Sequence, residues 1–291
     1  MRTVRSIKTM QNISRELAAR GKRIGLVPTM GFLHEGHLSL IRRARKYSDV
    51  VIVTIFVNPA QFGPHEDLKK YPRDEKGDLK KIKAAGGDIV FIPKATDIYP
   101  EDFETFVDVE KLTKVLEGAS RPTHFRGVTT IVAKLFNITR PDVVVFGMKD
   151  YQQAEVLRRM TKDLGYPIRF IISPTVREKD GLAMSSRNRY FTPEQRPEAL
   201  CLYFSLRTAR EMVRSGVTDC KKIEKEMRAV IKAASPTAEI DYIAFTDFHT
   251  LKPVRIIKAQ CVCSLAVKVH GVRLIDNLGL NVPEKSARRA D

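Results

Sequence analysis

Pro28-Thr-Met-Gly-Phe-Leu-His34-Glu-Gly-His37 follows a short apolar run at 24–27 and precedes a basic segment at 39–46. Leu38, Leu40 and Ile41 share one side of that segment at helical spacing, whereas the run before the motif reads as a buried strand. Between them Pro28, Gly31 and Gly36 mark a turn in which the backbone can bend sharply and approach a ligand. His34 and His37 are three residues apart, which in a first helical turn places both imidazoles on one face. The N–H groups at a helix start favour phosphate oxygens. Strand, turn and histidine-bearing helix start therefore read together as a nucleotide site. Two histidines so spaced also suit a metal pair or plain polar positions, but a zinc centre needs further ligands. Only the distant His65 and His124 offer themselves, and no metal ligand is assigned.

Outward from this stretch the chain alternates. A helix is expected at 7–20, and short apolar runs at 24–27, 50–56, 89–92, 143–146 and 168–172 read as strands covered on both faces. Helical patterns at 38–46, 79–85, 129–137 and 151–164 intervene. Such alternation predicts an α/β fold with a Rossmann-like parallel sheet, whose ligands sit beyond the carboxyl ends of the strands. The motif turn, 58–61 and 147–150 all fall at such ends. After residue 176 the pattern changes to two helices, 193–214 and 221–234, then strands at 240–245, 259–269 and 272–275. His270-Gly271 suits a hairpin turn between the last two. The expected organisation is a domain at 1–175 and a smaller, lid-like α+β domain at 176–291, with a frayed tail at 283–291.

Composition narrows the function classes. The 291 residues, 43% hydrophobic, suffice for a packed core, and no stretch reaches the apolar length of a membrane span. The basic N-terminus lacks the apolar stretch of a secretory signal. Cys201, Cys220, Cys261 and Cys263 form no CxxC pattern and suit reduced thiols in a cytoplasm. The net charge of +17 invites a nucleic-acid reading, but the basic residues are spread along the chain and interleaved with acidic ones, as at 69–83. A solvated basic surface that draws in anionic small molecules accounts for it. No nucleic-acid partner and no membrane partner are expected.

The motif resembles the signature of the pantothenate synthetases, or pantoate–β-alanine ligases, of the nucleotidylyltransferase superfamily. Further blocks resemble the family in the same order. They are Val57-Asn-Pro-Ala-Gln61-Phe62, Tyr71-Pro-Arg73, Arg121-Pro-Thr-His124-Phe-Arg-Gly127, Phe146-Gly-Met-Lys149-Asp150-Tyr-Gln-Gln153 and Met184-Ser-Ser-Arg187-Asn-Arg-Tyr190. Weaker similarity continues through Asp241-Tyr242 and Arg273-Leu-Ile-Asp-Asn277. Several spaced motifs in one order are far more specific than HxGH alone.

The resemblance implies ATP-dependent condensation of (R)-pantoate with β-alanine through a pantoyl adenylate, releasing pyrophosphate and AMP. It implies ATP as a substrate, Mg²⁺ accompanying it, and a homodimer. By the same resemblance ATP is bound by Met30, Gly31, Phe32, Leu33, His34, Glu35, Gly36 and His37. The later ATP positions are Gly147, Met148, Lys149, Asp150, Val176, Met184, Ser185, Ser186 and Arg187. Val176 rests on resemblance alone. Met148 departs from the polar residue many relatives carry.

His34, His37 and Lys149 are the expected catalytic groups. His37 is the candidate proton donor to the departing pyrophosphate, and Lys149 a point charge for the phosphates. Asp150 either binds nucleotide, orients Lys149 or caps a helix. Ser185, Ser186 and Arg187 together can hydrogen-bond several phosphate oxygens. Gln61 and Gln153 carry amides able to read a hydroxy acid. The family pattern gives both to pantoate and Gln61 also to β-alanine. Asn58, Tyr71, Arg121 and His124 suit pocket walls or structural braces equally. Pro28, Met30 and Phe62 would shape an apolar pocket. A relative that adenylylates a phosphorylated substrate would share HxGH but lack the two glutamines in these contexts. An RNA-binding module would need a basic stripe that the sequence does not contain. A dead enzyme fold would not retain every polar group expected of the site.

Overall fold

The computed structural model describes residues 1–64 and 66–282, so His65 and the tail expected to fray lie outside the described residues. The chain divides into two compact units, Met1–Val176 with Met184–Ser186, and Arg177–Ala183 with the residues from Arg187 onward.

In the first unit the elements run β1 (Arg2–Val4), α1 (Ile7–Ala19), β2 (Ile24–Thr29), α2 (Glu35–Arg45), β3 (Val50–Ile55), α3 (Glu75–Ala85) and β4 (Ile89–Phe91). There follow the short α4 (Ala95–Ile98) and α5 (Glu117–Ser120), then α6 (His124–Thr139), β5 (Val143–Gly147), α7 (Tyr151–Asp163) and β6 (Arg169–Ser173). All six strands form one parallel sheet in the order β1-β4-β3-β2-β5-β6. Successive strand residues point to opposite faces. Leu26, Ile52, Phe91 and Val144 enter one core with Met10 of α1, Phe136 of α6 and Leu157 of α7. Val27, Val53, Val90 and Val145 enter the other with Ile41 of α2 and Ile82 of α3. Cover on both faces is why these strands read as unbroken apolar runs.

The second unit contains α8 (Cys201–Arg214), α9 (Cys220–Ala234) and the antiparallel sheet β7 (Glu239–Thr246), β8 (Gln260–Val269) and β9 (Val272–Asn281). Leu202, Leu206, Ile223 and Met227 of the helices share a core with Cys261, Cys263 and Leu265 of β8. All four cysteines are buried free thiols. Val269 pairs with Val272 across His270 and Gly271, both with positive φ (47° and 78°), the backbone of a two-residue type I′ turn.

Several expected boundaries move. The helix expected from residue 193 begins at Cys201, after a 3₁₀ turn at Arg196–Leu200 that carries Pro197. Helix α6 starts at His124 rather than 129, because the Gly127 that weakens its helical pattern is required for packing, as described below. Strand β9 runs six residues past the expected end at 275, to Asn281. The buried polar Asp276 and Asn277 had broken its apolar run. Strand β1, three residues with an arginine and a threonine, leaves no periodic signal.

Candidate active site

From β2 the chain steps to β3 and β4 on one side, then returns to β5 on the other side of β2. The ends of β2 and β5 thus form the switch point of the sheet, where a crevice opens in folds of this kind. Three candidate segments leave neighbouring strand ends: the HxGH loop after β2, Asn58–Gln61 after β3, and the 3₁₀ turn Met148–Asp150 after β5.

The loop after β2 is held tightly. Gly31 (φ 82°) and Phe32 (φ 50°) both adopt left-handed backbone, and the Thr29 hydroxyl accepts from Gly31 N–H at 3.2 Å. The Asp78 carboxylate accepts Phe32 N–H and Leu33 N–H, each at 2.7 Å, while Lys81 Nζ donates to the Leu33 carbonyl at 2.8 Å. Leu33 therefore has both backbone groups engaged and its side chain in the core, 3% exposed. Leu33 is thus an anchor of this loop.

The two histidines do not share a helical face. His34 is the N-cap of α2, with extended backbone, and only His37 lies within the helix. The N-cap geometry still joins them, with ring centroids 4.1 Å apart and His34 N–H donating to His37 Nδ1 at 3.3 Å. An accepting Nδ1 leaves the hydrogen of the neutral ring on Nε2. Burial first, then the positive charges of His34, Lys149 and Lys81, hold His37 down to about 3. At neutral pH these surroundings favour the uncharged imidazole, with its hydrogen on Nε2. Lys149 Nζ lies 3.8 Å from Asp150 Oδ1, an ion pair beyond hydrogen-bond distance. A Cβ on Gly147 would meet only Lys149 N, at 4.0 Å, so neighbouring side chains leave that side open. Met184 N–H donates to Val176 O at 3.0 Å, and a Cβ on Gly36 would stand 3.8 Å from Met184 Cβ. Residues 184–186 thus belong beside the HxGH helix, whereas Arg187 is part of the second unit.

Gln61 sits in a cradle. Its Nε2 points to Met30 Sδ at 3.0 Å, and its Oε1 accepts from Asn58 Nδ2 at 3.1 Å. Asn58 also donates to Gly127 O at 3.1 Å and accepts from Tyr99 Oη at 2.8 Å. The Gln61 carbonyl accepts from His124 Nδ1 at 2.9 Å and Arg121 Nη2 at 3.3 Å, and Glu66 holds Arg121 at 2.7 Å. Asn58, Arg121 and His124, open between wall and brace in the sequence, are braces of Gln61. Tyr99 and Glu66 were not foreseen. A Cβ on Gly127 would stand 2.2 Å from the Ala60 carbonyl oxygen, so only glycine lets α6 approach this turn. Tyr71 Oη and Ser186 Oγ lie 3.4 Å apart. Gln153 on α7 is half-buried, while its neighbour Gln152 serves the fold by binding Leu112 O, Val115 O and Glu117 N–H. Among the described residues no three His, Cys, Asp or Glu side chains gather as a metal site.

His124 makes the cradle acid-sensitive. Burial, and secondarily Arg121, lower it from 6.5 to about 4. The unfolded chain takes up this proton from about pH 6.5 downward and the folded chain only near pH 4. Stability is therefore complete above 6.5 and falls as the pH drops toward 4. His124→Asn keeps a donor near the Nδ1 position without a titrating group. Between pH 7 and 4.5 the wild type should lose about 2–3 kcal/mol more than this variant in urea unfolding. Equal losses would show that His124 titrates alike in the folded and unfolded chain.

The chain's sequence matches the pantoate-β-alanine ligase family over residues 2–279. It is 51% identical to the pantothenate synthetase of Heliobacterium modesticaldum, covering 97% of this chain and 100% of that one. It is also 51% identical to that of Moorella thermoacetica, covering 97% and 99%. The crystal structure of pantothenate synthetase from Thermus thermophilus superposes with a TM-score of 0.90 at 43% identity, over 96% of this chain and 99% of that one. The pantoate-β-alanine ligase of Francisella tularensis, solved with β-γ ATP and β-alanine, gives 0.79 at 34% identity, over 96% and 97%.

Proposed function

The chain belongs to the pantoate–β-alanine ligase family, an enzyme family of the ligase class, and from that premise we propose that it makes pantothenate through a pantoyl adenylate. A pantoate carboxylate oxygen attacks the α-phosphorus of ATP, and the bond to the bridging oxygen breaks to release pyrophosphate. The β-alanine nitrogen then attacks the acyl carbon, the carbon–oxygen bond to phosphate breaks, and AMP leaves while the amine loses a proton to solvent. The observation that carries this reading is Gln61, whose side-chain amide is held by Asn58 and whose main-chain carbonyl is held by Arg121 and His124, on the rim that also bears the paired histidines and Lys149. The complex of the Francisella relative supports ATP and β-alanine as ligands.

Lys149 neutralises phosphate charge as it redistributes, and His37 donates a hydrogen bond from Nε2 to a phosphate oxygen. His34, Ser185, Ser186 and Arg187 complete the phosphate contacts, and the open side of Gly147 admits the nucleotide backbone-close. Gln61 and Gln153 hold pantoate, and Gln61 also orients the amine. Positioning and charge neutralisation supply the rate, without a covalent enzyme intermediate. Mg²⁺ fits as an ion carried by the triphosphate and water rather than by a protein cage. A cytoplasmic homodimer is the assembly the family resemblance favours.

Isotope exchange tests the order of steps. Labelled pyrophosphate should enter ATP when pantoate alone is present, and AMP should accumulate with turnover only after β-alanine is added. Exchange that demands β-alanine would exclude a free-standing adenylation step.

A further inference from the structure

Asp78 has no part in the chemistry described so far, yet it is a carboxylate only 1% exposed. Burying a charge is costly unless it is paired and hydrogen-bonded. Here both oxygens are used, one on Phe32 N–H and one on Leu33 N–H, at 2.7 Å each. One helical turn further along α3, Lys81 grips the same loop through the Leu33 carbonyl at 2.8 Å. The loop so held is an unfavourable one. Phe32, which carries a side chain, sits at φ 50°, a region such residues occupy when their surroundings enforce it. At Gly31, where φ is 82°, a Cβ would be strained and would stand tightly against Ile55 Cγ2 at 3.0 Å and Asp78 Oδ2 at 3.1 Å. The residue after Leu33 is His34, whose N–H donates to His37 Nδ1.

We propose that Asp78, assisted by Lys81, is a positioning residue for nucleotide activation, clamping residues 31–33 so that the His34 N–H occupies His37 Nδ1 and the imidazole hydrogen stays on Nε2. The geometry stands by itself, and the consequence for rate rests on the ligase reading above. Asp78→Asn preserves size but sets an NH₂ group against one of two N–H donors, releasing half the clamp.

The test uses full-length protein labelled with ¹⁵N-histidine, with the His37 signals assigned by their loss in His37→Gln. In the wild type the two-bond spectrum should show His37 as the Nε2–H tautomer. Asp78→Asn should shift it to a mixture, lower single-turnover adenylation at least tenfold, and move the KM for pantoate less than twofold. A folded variant with an unchanged His37 signal, or with a rate within twofold of wild type, overturns the proposal. Should Asp78→Asn not fold, Lys81→Met removes only the bond to Leu33 O and should shift the same signals, with a rate loss of at least threefold. Unchanged signals there overturn the proposal equally. Absence of pyrophosphate exchange in the wild type would defeat the ligase reading and leave the His37 signal to decide the clamp.

Discussion

Lys149→Ala should slow adenylate formation by roughly 10²–10³-fold, the usual cost of removing one charge-stabilising donor from a transition state. The ammonium stands on the turn after β5, at the switch point of the sheet, 3.8 Å from the Asp150 carboxylate and with 21% of its side chain exposed. Its charge reaches His37, where it helps to keep the imidazole neutral. A charge so placed acts most strongly when negative charge moves onto the departing pyrophosphate. It contributes little to holding pantoate, whose proposed partners are Gln61 and Gln153. Rapid-quench measurement with labelled ATP and saturating pantoate should therefore show a large fall in rate and a nearly unchanged pantoate KM. A rate near wild type would make Lys149 a bystander on the rim.

Arg177→Ala should destabilise the second unit by about 3–5 kcal/mol, the range for stripping the partner from a buried charge. Arg177 binds Asp276 through two bonds, at 2.6 and 3.0 Å, and the Asp276 side chain is only 3% exposed. The guanidinium also lies 5.1 Å from the Tyr203 ring centre and donates to Gly181 O at 3.1 Å. Its removal leaves the carboxylate on β9 without its counter-charge. Hydrogen exchange should then quicken along β9, and the urea midpoint of the second unit should fall. Changing both partners, Arg177→Met with Asp276→Leu, should restore much of the loss. A single-variant effect under about 1 kcal/mol would place the pair among the weak surface ion pairs.

The sequence was most legible where one physical requirement acted alone. Strands 24–29 and 50–55 are covered on both faces, so burial wrote uninterrupted apolar runs that mark them. The expected α/β class with a parallel sheet and a smaller α+β part is the observed architecture. Legibility fell where two requirements competed. Gly127 weakens the helical signal of α6 because close packing on Ala60 excludes a side chain, and Asp276 interrupts β9 because Arg177 needs an anion there. Asp78 sits on the buried face of α3, where periodicity alone expects an apolar residue. The expected functional positions cluster as short motifs because ligand contact constrains neighbours in sequence. Their supports do not: Tyr99, Glu66 and Asp78 reach the site from 41, 55 and 46 residues away from the groups they hold. Only folding brings such partners together, and no local pattern announces them.

The path of the chain between its two units has a consequence for biosynthesis. Residues 177–183 join the second unit before 184–186 return to the first. All six strands of the parallel sheet leave the ribosome before Ser186, the residue that stands opposite Tyr71. Because domains tend to fold as they emerge, in N-to-C order, the nascent sheet waits for a segment that lies beyond the first residues of its neighbour. A stop codon after Val176 would thus yield every strand of the sheet and an unfinished first unit.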